Sequence, residues 1–241
     1  MQSSTPLLRA DSPELQKMTR AEKIDLLELL TERERRAKRT KLYRYRPYPK
    51  QLEFHAAGAT HKERLLMASN RFGKTECGAA EMAFHLTGHY PDWWVGKRFD
   101  GAVRAWAAGV TNESTRDVVQ DKLIGPPDRP EDWGTGFVPG DLIIGKPDLA
   151  RGVPNAIDTV SVKHISGETS MLQFKSYERG REKWQGTARE VVWCDEEPPM
   201  DIYIEGLTRT SETKGIVFIT FTPLKGWSEV VELFLGAGSV R

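Results

Sequence analysis

Cysteine is scarce in this 241-residue chain: Cys77 and Cys194 are the only two. One falls in an expected helix and the other in an expected buried strand. That excludes a disulfide framework and points to reduced structural thiols in a cytosolic compartment. The five histidines are scattered and no zinc spacing is present, so no metal cluster of that kind is offered. No apolar run approaches the roughly 20 residues of a membrane span. The polar start, Met-Gln-Ser-Ser-Thr-Pro, lacks the pattern of a signal peptide. Net charge is also nearly absent, at +1, so no global field calls for a polyanionic partner and any nucleic-acid contact must come from local clusters. What remains is a composition of 39% hydrophobic and 29% charged residues. At this length it suits one large α/β domain with a sizeable core.

The stretch that organises the chain begins at Met67. Leu65-Leu66-Met67-Ala68 reads as the end of a buried strand. A loop follows through Ser69, Asn70, Arg71 and Phe72 to Gly73-Lys74-Thr75, and residues 76–86 suit a helix. Strand, loop, Gly-Lys-Thr and helix make up a phosphate-binding loop. The loop N–H groups and the positive helix N-terminus face phosphate oxygens. Lys74 would reach the β/γ-phosphates of a bound nucleotide, and the Thr75 hydroxyl would ligate Mg²⁺. Two features depart from the usual pattern: Ala68 stands where the first glycine belongs, and Arg71 brings a large cation into the loop.

Upstream, residues 1 to about 13 read as disordered, with Ser12-Pro13 a possible helix start. A helical pattern follows in which Ile24, Leu27 and Leu30 share a face. It runs into residues 31–41, where six of eleven residues are Lys or Arg. That stretch reads equally as a solvated helix and as a contact for DNA or a partner. Residues 1–45 are taken as an arm outside the core, 46–235 as the main domain, and 236–241 as a linker. Pro49 marks a helix start, and Gln51, 23 residues before Lys74, could fork two hydrogen bonds to adenine because an amide carries both a donor and an acceptor. Downstream, the spacing predicts a strand over 103–110, a helix over 114–123 capped by Thr111 or Ser114, a long surface connection over 125–140, and a β-hairpin pairing 157–165 with 170–176. The loop from Tyr177 to Gly186 holds Arg179, Arg181 and Lys183, and reads as a solvated connector or as a cation presented to a phosphate.

The second half of the site is Val-Val-Trp-Cys-Asp-Glu at 191–196. Four apolar residues make a buried strand, and two acids stand at its C-terminal end, where open α/β sheets bind ligands. Asp195 would hold Mg²⁺ directly or through water, and Glu196 would polarise an attacking water. Phosphoryl transfer rests on such positioning and charge neutralisation. A further strand ends in Thr220 and Thr222, hydroxyls at the same sheet edge, suited to sensing a γ-phosphate. An amphipathic helix follows near 228–235.

Over residues 46–235 the chain resembles the large subunit of tailed-phage terminases. The resemblance rests on Gln51, the deviant loop 68–75, the segment 176–186, the acid strand 191–197 and Thr220-Phe-Thr-Pro223. It implies a RecA-like P-loop ATPase of the α/β class, with a mostly parallel sheet flanked by helices, using ATP and Mg²⁺. It implies a homo-oligomeric ring, monomeric in solution before assembly, that moves double-stranded DNA into a procapsid. The portal protein, the procapsid and the small terminase subunit are the implied partners, in the host cytoplasm and without a membrane. The family also carries a C-terminal nuclease domain, and none is expected within these residues. In such rings one subunit supplies an arginine to its neighbour; Arg71 is placed to act in cis, and Arg179 and Arg181 are candidates in trans. Two other functions fit part of this pattern. A helicase-like ATPase predicts a second RecA-like domain, which 241 residues cannot hold. A nucleotide-binding adaptor without turnover is argued against by intact Lys74, Asp195 and Glu196.

Overall fold

The computed structural model describes residues 17–69, 71–223 and 228–236, without the side chains of 34–39. The expected helix start at Ser12 and the linker beyond Gly236 lie outside the described residues, as does Asn70. Residues up to Lys38 and those from Arg39 onward separate into two compact units. In the first, helix α1 (Arg20–Arg39) is opened by Thr19, whose backbone N–H donates to Glu22 at 2.7 Å while its Oγ1 accepts from the Glu22 N–H at 3.3 Å. This reciprocal cap satisfies two N-terminal donors.

The second unit starts earlier than the expected boundary at residue 46. Helix α2 (Lys41–Arg44) contributes Leu42 to the core, and Tyr45 follows it inside. Helix α3 (Pro49–Ala57) begins at proline, which is pre-set for a first helical turn. Strand β1 (Glu63–Met67) leads through the phosphate loop into helix α4 (Lys74–Thr87). Strand β2 (Arg104–Gly109) leads into helical segment α5, residues 112–123, which is π-wound over Thr115–Gln120. Thr111 is its N-cap, accepting from the Ser114 N–H at 3.0 Å.

Strands β3 (Ile143–Leu149), β4 (Ile157–Lys163) and β5 (Thr169–Ser176) follow, then β6 (Val191–Asp195), helix α6 (Met200–Ser211), strand β7 (Ile216–Phe221) and helix α7 (Glu229–Gly236). The seven strands form one sheet in the order β1-β7-β6-β2-β5-β4-β3. The run β1-β7-β6-β2-β5 is parallel, and β4 and β3 add antiparallel pairings. β6 and β7 are buried at every position, as parallel strands covered on both faces must be. The expected hairpin is β4–β5, with Val160 opposite Leu172. One face of the sheet packs on α4 through residues such as Cys77, Met82 and Phe84; the other packs on α6 and α7 through Ile202, Tyr203, Val230 and Val231. The loop strand and the acid strand are separated by one strand, β7, in this mostly parallel α/β sheet.

The expected surface connection over 125–140 is partly internal. Gly134 and Gly136 donate back to Ile124, Phe137 to Lys122 and Val138 to Leu123. Those bonds satisfy the backbone locally and let Phe137 and Val138 be fully buried. The edge strand β3 has no counterpart among the expected elements.

Candidate nucleotide site

Glycine is needed at 73. The residue is the N-cap of α4 with φ +71°, a conformation glycine adopts without strain. Arg71 takes a similar φ of +68° with a side chain in place, so the loop stores backbone strain two residues ahead of Gly73. Lys74 is buried, and its ammonium donates to the Ser69 carbonyl at 3.0 Å across the loop. Ser69, Arg71 and Phe72 are exposed. Gln51 reaches the same loop from α3. Its Nε2 donates to Gly73 O at 3.1 Å, while its Oε1 accepts from the Tyr48 N–H at 2.9 Å and lies 3.3 Å from the Tyr45 hydroxyl. Both ends of this amide are engaged within the chain, so Gln51 braces the loop against α3, and forking to adenine would require exchanging those bonds.

The two motifs meet at one point. Thr75 Oγ1 donates to the Asp195 carboxylate, 3.1 Å from Oδ1 and 3.3 Å from Oδ2. Thr220 lies beside Asp195 in register on β7 and donates to Oδ1 at 2.7 Å. Burial pushes the Asp195 carboxyl up to about 6 from 3.8, with Glu196 adding to that, while the Thr220 and Thr75 hydroxyls and the Lys74 charge act against it. A hydroxyl and a carboxylate converging beside a lysine are hard-oxygen chemistry fitted to Mg²⁺. Among the described residues no group of three or more His, Cys, Asp or Glu side chains is arranged to hold a metal ion.

Glu196 is exposed and stands in the left-handed region at φ +68°. Two bonds hold it there. Its N–H donates to Thr220 O at 2.8 Å, and its carbonyl accepts from the Tyr177 hydroxyl at 2.8 Å, a hydroxyl that also reaches Asp195 O at 3.1 Å. Thr222 follows β7 and is buried.

The candidate arginines separate. Arg181 is ion-paired through Nε with buried Glu205 at 3.1 Å, and Arg209 holds the other oxygen at 2.8 Å. Arg71 and Arg179 are exposed and make no ion pair among the described residues. Arg179 borders a small cleft with Arg116 and Lys175.

Sequence reading missed Tyr177 and a buried charge cluster. Glu81 on α4 is fully buried, paired with Arg64 on β1, and accepts from His55 at 2.7 Å with His85 at 3.4 Å. Arg64 also donates to Phe54 O at 2.9 Å, tying α3, β1 and α4 together behind the loop. Its members come from three separate elements, and only the glutamate in an otherwise apolar helix could have signalled it.

The family model described as terminase large subunit, T4likevirus-type, N-terminal, matches residues 65–237. The chain is 42% identical over 238 residues to the terminase large subunit of Salmonella phage P22, covering 92% of this chain and 48% of that protein. It is 27% identical over 237 residues to the terminase large subunit of Enterobacteria phage LP7, covering 92% and 49%. Among solved structures it is similar to the large terminase of a thermophilic bacteriophage, at TM-score 0.49 and 15% identity, over 73% of this chain and 39% of that one. The chain thus spans about half the length of the curated relatives it matches. Lys74, Thr75, Asp195 and Glu196 all fall inside the matched residues, and on the extent of that match this chain belongs to the family of terminase large subunits.

Proposed function

We propose that this chain is the ATPase part of a DNA-packaging motor, hydrolysing ATP to drive double-stranded viral DNA into a procapsid. The observation that supports this best is the convergence of Thr75 on Asp195, at 3.1 Å, from motifs 120 residues apart. In this reading the loop N–H groups of 69–73 and the α4 N-terminus bind the phosphates, with Lys74 leaving the Ser69 carbonyl for the β/γ oxygens. Thr75 and Asp195 would hold Mg²⁺, which when bound neutralises charge that develops on the phosphates. Glu196, fixed by Tyr177 and Thr220, accepts a proton from the attacking water. Thr220 and Thr222 link the state of that site to β7. Arg71 acts in cis, and Arg179, exposed and unpaired with any carboxylate among the described residues, is the better placed of the two trans candidates. The homo-oligomeric ring, the portal, the procapsid and the small subunit belong to this reading, as does assembly in the host cytoplasm.

The test is phosphate release by the purified chain with ATP and Mg²⁺, and the same measurement on Glu196→Gln. Turnover is expected to fall about 10²–10⁴-fold with nucleotide binding retained. Undiminished turnover in Glu196→Gln would remove the base assignment, and a wild-type chain that binds no nucleotide would remove the whole reading.

A further inference from the structure

The nucleotide reading gives no role to the buried indole of Trp193. Trp193 stands two residues before Asp195 on β6, and the two-residue period of a strand puts both on the face toward α4. An indole can only donate, and a buried one needs an acceptor. Trp193 Nε1 finds it in Thr220 Oγ1, at 2.8 Å. That hydroxyl has one proton. With the indole N–H directed at its oxygen, the proton is left for Asp195 Oδ1, 2.7 Å away. The chain Trp193 to Thr220 to Asp195 therefore has one direction. Thr220 is fully buried, so no solvent competes for it.

The indole is seated from two sides. Phe218 stacks on it at 6.1 Å between centroids and 16° between planes. On α4 it meets Gly78, where a Cβ would lie 2.5 Å from Trp193 Cε2 and 2.6 Å from Nε1. Gly78 follows Thr75 by three residues, so the two share one helix face. The helix thus rests on the tryptophan at Gly78 and reaches Asp195 at Thr75. Glycine in a helix interior costs stability relative to alanine; here it lets α4 approach β6.

We propose that Trp193 is a positioning residue of the nucleotide site: seated against Gly78, it orients the Thr220 hydroxyl toward Asp195 and holds that carboxylate opposite Thr75 for a divalent cation. This rests on the nucleotide reading above.

The test uses Trp193→Phe, which keeps an aromatic ring and loses the N–H, together with Thr220→Val and the double variant. The Mg²⁺ concentration that half-saturates ATP binding is measured, and ATP affinity is measured separately in EDTA. Outer-shell partners of metal ligands alter metal affinity by about 10–100-fold; Trp193→Phe is expected to raise the Mg²⁺ requirement toward the lower end of that range and leave affinity in EDTA unchanged. The double variant is expected to match Thr220→Val alone, because both changes cut one chain. A tryptophan that only fills space would leave the Mg²⁺ requirement at the wild-type value, or would add its effect to that of Thr220→Val; either result overturns the proposal. Should Trp193→Phe fail to fold, the Trp193 indole N–H resonance is followed in wild-type protein. It is expected to shift on adding Mg²⁺ with ADP, and to stay fixed in Thr220→Val; a wild-type resonance that does not move overturns the proposal. Wild-type protein without Mg²⁺-dependent nucleotide binding would sink the nucleotide reading, a result distinct from an unaltered variant.

Discussion

The Tyr177 hydroxyl reaches two consecutive carbonyls, of Asp195 at 3.1 Å and of Glu196 at 2.8 Å, and so pins the backbone between the proposed metal ligand and the proposed base. Glu196 occupies φ +68° there, a conformation that persists only when its surroundings enforce it. Tyr177→Phe removes the hydroxyl and keeps the ring against Trp184. Turnover is expected to fall about 10–100-fold as the base loses its aim. Nucleotide affinity is expected to hold, because no loop contact changes. Steady-state kinetics beside a binding titration would check this, and a loss confined to affinity would contradict it.

Gln51 is open to a test between two roles. As a brace, its removal unties the Gly73 carbonyl and the Tyr48 N–H. Gln51→Ala is then expected to cost about 1–3 kcal/mol of stability and to weaken ATP and GTP binding alike. As an adenine reader, its loss would weaken ATP alone and erase the preference over GTP. Melting curves with paired nucleotide titrations distinguish the two, and the bonds to Gly73 and Tyr48 favour the first.

The Glu81 cluster sets an acid limit on stability. Burial by itself would raise the Glu81 carboxyl, but Arg64, His55 and His85 together hold it well below 4.5. In the unfolded chain the group takes a proton near 4.5 while the folded chain stays ionised. The unfolded state then binds more protons, and stability falls as pH falls below that value. His85 acts in the same direction from higher pH: burial keeps it neutral below 6.5, where the unfolded imidazole becomes charged. Thermal midpoints are therefore expected to fall from about pH 6.5 downward and more steeply below about pH 4.5. Glu81→Gln is expected to flatten the lower limb and to cost about 3–5 kcal/mol at neutral pH, because Arg64 is left buried without its partner.

The two candidate trans arginines predict different outcomes in mixed rings. Arg181→Ala leaves Glu205 with Arg209 still in place, and is expected to lower activity only in proportion to its share of subunits. Arg179→Ala is expected to depress it more than proportionally, since one defective neighbour stalls a subunit with an intact site. ATPase activity against mixing ratio checks both, and a linear loss for Arg179→Ala would dismiss its trans role.

These outcomes also mark what is readable without the fold. The loop 68–75 and the strand 191–195 are legible because contiguous apolar residues end in short polar motifs, and nothing distant is needed to recognise either. β3 is not, because Gly145, Lys146, Pro147 and Asp148 interrupt its apolar pattern and its pairing with β4 is irregular. Phe137 and Val138 read as surface residues because the glycines and prolines around them signal turns; the bonds that fold this stretch back onto residues 122–124 are made at a distance. The roles of Tyr177 and Trp193 depend on cross-strand register, such as Asp195 opposite Thr220, which no local spacing encodes.

Both thiols of the chain lie in the back wall of the site: Cys77 two residues after Thr75 and Cys194 directly before Asp195. Burial raises both, Cys194 to about 12 and Cys77 further still, so each is a poor nucleophile while the walls stay shut. Alkylation of Cys77, held against His55 of α3, can then proceed only when α4 loosens from α3, and that of Cys194 only when the α6 and α7 face of β6 opens. The rate at which a thiol reagent labels the native chain becomes a clock for those breathing motions, and its slowing by ATP would time the closure of the site without any engineered probe.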